Sequence, residues 1–150
     1  MTDVVVIGAG PGGAMAAGML AQRGYRVRVL ERQTFPRFSI GESLLAQTLQ
    51  LVDEAGMLEA VLSAGFQFKN GAVFLRQDLT SEFNFAEKTS PGYGYTFQVP
   101  RERFDQVLAD EAERMGASIE YEGEVTGMKP GANPGLACRD KDGREQLIRP

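Results

Sequence analysis

The 150-residue chain contains no histidine and no tryptophan, and it has a single cysteine, Cys138. Without histidine these residues can build no Ser-His-Asp triad, no imidazole metal ligand and no histidine general base, so no metal site is expected. One thiol cannot close an internal disulfide, which fits a reducing compartment and leads us to expect a cytoplasmic protein. It also excludes the Cys-x4-Cys redox pair that dithiol oxidoreductases carry after their second strand. No apolar run approaches the ~18 residues of a spanning helix, so no membrane association is expected. No basic segment precedes the apolar stretch from Val4 to Ala17, so that stretch does not read as a secretory signal. Lys and Arg number 16 against 20 Asp and Glu, a net charge of -4, and the clustered cations of a nucleic-acid surface are missing. What is plentiful is glycine, 18 residues, in a chain whose 43% hydrophobic and 24% charged content is that of a folded domain.

The first glycines punctuate a recognisable order of elements. Val4-Val5-Val6-Ile7 is the continuous β-branched run of a strand buried on both faces. A glycine-rich break leads into a helix from Ala14 to Arg23, ended by Gly24, and Tyr25 to Glu31 forms a second, parallel strand. Residues 32–65 read as a Pro-containing loop followed by two helices. The first runs from Leu44, capped by Ser43 and striped by Leu45, Leu49 and Val52, and ends at Gly56; the second is Leu58 to Ser63. From Phe66 to Val99 the period falls to two, and Ala72–Leu75, Phe83–Phe85 and Tyr93–Val99 read as strands of one antiparallel sheet. Residues 100–150 begin with a helix through Phe104, Val107, Leu108, Ala112 and Met115, closed by Gly116. Ile119 to Val125 alternates apolar and acidic residues, which places Glu120, Glu122 and Glu124 on one wet strand face. A hairpin then turns at Asp142-Gly143.

Gly8-x-Gly10-x-x-Gly13 gains its meaning from this setting: a strand precedes it, a helix follows, and Glu31 ends the next strand. Gly8 permits the tight turn, Gly10 lets a pyrophosphate reach the backbone, and Gly13 allows close packing of the helix. The helix start offers unpaired N–H groups and a partial positive charge to a diphosphate. Glu31 can accept both hydroxyls of an adenosine ribose, and its charge repels a 2′-phosphate. An unphosphorylated adenine dinucleotide is the expected ligand, with Gly8, Gly10, Pro11, Gly12, Gly13, Ala14, Glu31 and Arg32 as its binding set. The fingerprint alone does not choose between FAD and NAD. The departure from alternating strands and helices after residue 31 favours FAD, in a Rossmann-like α/β βαβ unit with inserted antiparallel strands.

The segment Phe35-Pro36-Arg37-Phe38-Ser39-Ile40-Gly41-Glu42-Ser43-Leu44 resembles the loop after the FAD fingerprint in flavin-dependent halogenases and related group A FAD monooxygenases. Tyr95-Thr96-Phe97-Gln98-Val99-Pro100-Arg101-Glu102-Arg103-Phe104-Asp105 is similar to their strand-to-helix stretch. The chain has Ala14-Met15 where tryptophan halogenases usually carry Trp, and it is more similar to the branch acting on phenols and pyrroles. The resemblance implies the N-terminal, incomplete part of an FAD-binding domain. It adds Gly41, Glu42, Ser43, Arg101 and Val125 to the cofactor set, Val125 through backbone contact with adenine. It further implies a small aromatic substrate, free or tethered to a carrier protein, and a separate flavin reductase.

In that family, hypohalous acid formed with reduced flavin and O2 reaches a lysine, which either becomes a haloamine or hydrogen-bonds the oxidant beside the substrate ring. Lys69, after Phe66 and Phe68, matches that catalytic position, and the two phenylalanines would supply its apolar walls. The rival readings are a non-halogenating hydroxylase, a reductase of isoprenoid double bonds resembling geranylgeranyl reductases, and an FAD-binding module without catalysis of its own.

Overall fold

The computed structural model describes residues 2–149. Its centre is a three-stranded parallel sheet in the order β1-β2-β7, formed by β1 (Val4–Ile7), β2 (Val27–Glu31) and β7 (Ser118–Tyr121). The connection between β1 and β2 is α1 (Pro11–Gln22), which packs on the sheet beside α4 (Arg101–Arg114). Val27 and Val29 face these helices and join Phe104, Leu108 and Ala112 in the main core. Leu30 faces the other way, onto Leu136, Cys138 and Ile148. β2 is thus covered on both sides, with Val27 and Val29 toward the helices and Leu30 toward the second layer.

The second layer is an antiparallel meander of β8 (Glu124–Lys129), β9 (Gly135–Arg139) and β10 (Glu145–Ile148). Its β9–β10 hairpin turns where Asp142-Gly143 predicts it. Between β2 and α4 lie α2 (Ala46–Glu54), α3 (Leu58–Ser63), β3 (Gln67–Lys69), β4 (Gly71–Arg76), β5 (Leu79–Asn84) and β6 (Thr96–Gln98). No helix among the described residues is long and apolar enough to cross a membrane.

Four local expectations need correction. α1 begins three residues early, at Pro11, because a proline has no N–H to lose at the first helical position. Ser43 does not cap a helix: α2 starts at Ala46 without a side-chain cap, Leu45 is exposed, and residues 42–44 run extended beside β6. The antiparallel strands form two separate pairs, β4–β5 and β3–β6, instead of one sheet. The acidic stretch is also two strands. Glu122 adopts φ 59° and, with Gly123, turns the chain between β7 and β8. Glu120 is therefore half-buried and ion-paired with Arg28, not part of a shared wet face.

Candidate functional site: a dinucleotide cleft and a lysine corner

The cleft begins at the turn after β1. Gly8 has φ +91°, a conformation that only glycine adopts without strain. A Cβ on Gly13 would stand 2.0 Å from the Gly8 carbonyl oxygen, so the turn and the helix close on each other only because Gly13 lacks one. Gly12 faces open space, and a Cβ on Gly10 would meet only an Arg37 Nη, at 3.4 Å. The cradle thus stays free on the side where a diphosphate would lie. Pro11 opens α1, no side chain caps it, and no acid occupies its first turn, so its positive end is left to a ligand. Ala14 lies behind the turn, fully buried, with its N–H donating to the Gly10 carbonyl.

Glu31 closes the other end. Only 4% of it is exposed, and each carboxylate oxygen accepts one backbone N–H at 2.9 Å, Oε2 from Ala9 and Oε1 from Gln33. Its own carbonyl accepts the N–H of Gly123. Beside it opens a cleft of about 340 Å³, lined by Gly8, Leu30, Arg32, Arg37, Gly123 and Val125 among others. That size suits the adenosine half of a dinucleotide. Glycines that clear a path for phosphate and a carboxylate with lone pairs to spare at the ribose position make the residues a fit for FAD.

The remaining expected residues gather at a second place. Gly41 (φ +91°) lies under the Arg101 guanidinium, which donates to the Ile40 carbonyl and pairs with Asp105 at 2.8 Å. Glu42 accepts the Val99 N–H on its carbonyl. Lys69 is half-buried; its Nζ donates to Ser43 Oγ at 2.6 Å and to the Leu44 carbonyl at 3.2 Å. The aromatic wall is not the one expected. Phe66 turns into the core against Phe104, and Phe68 stacks on Tyr95, whereas the ring beneath the ammonium is that of Phe85, 5.1 Å away.

Sequence reasoning passed over the side chains that join the two places. Asp105 is fully buried and holds Arg101 on one side and an Arg37 Nη, at 3.4 Å, on the other. Arg37 in turn stands 3.8 Å from Glu31, and its buried Nε has no hydrogen-bond partner among the described residues. The available signal was an acid on the buried stripe of α4, directly after Phe104, because a charge is rarely buried unless paired.

The chain matches over residues 1–148 a protein family described as an FAD binding domain. It is 38% identical over 122 residues to the tryptophan 2-halogenase of Chondromyces crocatus, covering 81% of this chain and 23% of that protein. It is 33% identical over 135 residues to a 1H-pyrrole-2-carbonyl-[peptidyl-carrier protein] chlorinase of Pseudomonas fluorescens, covering 78% of this chain and 30% of the relative. Among solved structures, a flavoprotein/dehydrogenase from Cytophaga hutchinsonii superposes with a TM-score of 0.93 at 47% identity, over 98% of this chain and 37% of that one. The chain therefore spans 23% and 30% of the length of these two halogenases.

Proposed function

This chain belongs to the FAD-binding-domain family, with flavin-dependent halogenases among its relatives, and from that premise we propose that it forms the cofactor-binding part of a halogenase acting on a phenolic or pyrrolic ring. The observation that carries the reading is the path of one loop. It leaves Glu31, brings Arg37 against the glycine turn, and ends at Ser43 and Leu44 on the Lys69 ammonium. The cofactor cleft and a held amine are thus two ends of one short segment.

Bound FAD, once reduced, supplies the electrons with which O2 and halide give an oxidised halogen. Glu31 would accept the ribose hydroxyls, and the open N-terminus of α1 with Arg37 would face the diphosphate. Lys69 would donate a hydrogen bond to the oxidised halogen and keep it beside the substrate ring. The Phe85 ring lies under the ammonium, its centroid 5.1 Å away, and covers one side of it. The carrier-protein chlorinase among the relatives supports a tethered pyrrole as one form of substrate.

In the full-length protein supplied with reduced FAD, O2, chloride and a simple phenol or pyrrole, Lys69→Ala should lower chlorinated product by about 100-fold or more, the scale on which one positioned proton donor contributes. Flavin content serves as the control. Undiminished chlorination in Lys69→Ala would remove the lysine from the chemistry. Wild-type protein that yields only hydroxylated product with chloride present would replace the halogenase by a hydroxylase.

A further inference from the structure

Lys69 is carried by β3, which pairs with one edge of β6, with Lys69 opposite Thr96. Ser43 sits on the other edge of β6, bridged to Gln98. To reach Ser43 Oγ, the lysine side chain crosses the whole strand. An ammonium has three N–H donors. Here one goes to Ser43 Oγ and a second to the Leu44 carbonyl, while the Phe85 ring closes the face beneath. One N–H is left. The Ser43 hydroxyl hydrogen, for its part, has no acceptor among the described residues. Ser43 is itself exposed, so neither group is needed to satisfy the core.

We propose that Ser43 is a positioning residue for Lys69, and that its hydroxyl and the remaining lysine N–H form a two-donor grip on the oxygen of a hypohalous acid. The inference rests on the reading of Lys69 given above. A lysine alone has a long stem that sweeps many positions. Anchored at Oγ and at the Leu44 carbonyl, the ammonium keeps a single direction for its last donor. The Ser43 hydroxyl adds a second donor 2.6 Å from it, close enough for both to meet one oxygen.

Two measurements on the full-length protein separate this idea from the catalytic role of Lys69. The first is trace acetylation of the folded protein with acetic anhydride, read at each lysine by mass spectrometry over a range of pH. Ser43→Ala should raise the rate at Lys69 several-fold relative to Lys129 and Lys141, and Ser43→Thr should restore it. An unchanged rate at Lys69 overturns the contact, whatever the enzyme does. The second is chlorinated product per flavin oxidised, which should fall several-fold in Ser43→Ala and recover in Ser43→Thr at equal flavin content. A lysine that responds to labelling while this ratio stays constant overturns the positioning role. Flavin content that falls in Ser43→Ala and stays low in Ser43→Thr makes the side chain a cofactor ligand instead. Should Lys69→Ala still chlorinate, the halogenase reading fails by itself, and the labelling result stands or falls separately.

Discussion

Glu31 and Lys69 are the charged centres of the two places, and the fold holds them in opposite ways. Glu31 is almost wholly buried and is pinned by backbone N–H groups from the glycine turn and from the following loop. Lys69 is half open to solvent and is steadied by a hydroxyl, one carbonyl and the face of a ring. At the first place the main chain defines the geometry, so damage there spreads into the fold. At the second, side chains define it, and damage there stays local.

Gly13→Ala tests the first half of that contrast most severely. The new methyl carbon would lie 2.0 Å from the Gly8 carbonyl oxygen, so turn and helix must separate. We expect a loss of about 3 kcal/mol or more by denaturant unfolding, together with loss of bound flavin. A variant of wild-type stability that still binds FAD would show that the turn is not fixed by its backbone.

The next effect in size is that of Glu31→Gln. An amide offers one acceptor oxygen where the carboxylate offers two, so the N–H of Ala9 or of Gln33 loses its partner. A buried N–H left unsatisfied costs roughly 1–3 kcal/mol, which should appear as a lower melting temperature without flavin and weaker FAD binding with it. Equal melting temperatures would mean that the carboxylate serves the ligand alone.

The smallest effect belongs to a side-chain contact outside both places, of the same kind as the one that steadies Lys69. The Tyr93 hydroxyl donates to Asp53 at 2.8 Å, and this bond to an anion raises the phenol above its ordinary value of 10.0. A group whose pKa is raised by folding adds stability that is complete below its unfolded value and is lost as pH climbs through the folded one. Wild type should therefore be slightly more stable than Tyr93→Phe at neutral pH, and the difference should shrink above pH 10. A pH-independent difference between the two melting curves would assign it to packing.

The same contrast explains what could be read in advance. Gly8 is demanded by its positive φ and Gly13 by the approach of the Gly8 carbonyl, so the glycine spacing announces the turn, and the β-branched run before it announces β1. Ser43 misled because its sequence context suits a helix cap equally well, whereas its hydroxyl is claimed by Lys69, from a strand that meets it only through β6. The pairing of β3 with β6 and the Arg37–Asp105–Arg101 cluster join residues far apart in the chain, and no local pattern encodes a distant partner. Glu122 escaped because its alternating neighbours hide a left-handed turn at a residue that seldom takes one.

The triple engagement of Glu31 also bears on how nucleotide preference can evolve in this fold. Acceptance of a ribose 2′-phosphate calls for removal of the carboxylate, and that one change would unfasten the glycine turn and the loop after β2 together. With the ribose role proposed for Glu31, ligand choice and folding stability would be written into the same residue. A switch of cofactor would have to pass through a destabilised ancestor, unless a substitution elsewhere first re-tethers the Ala9 amide.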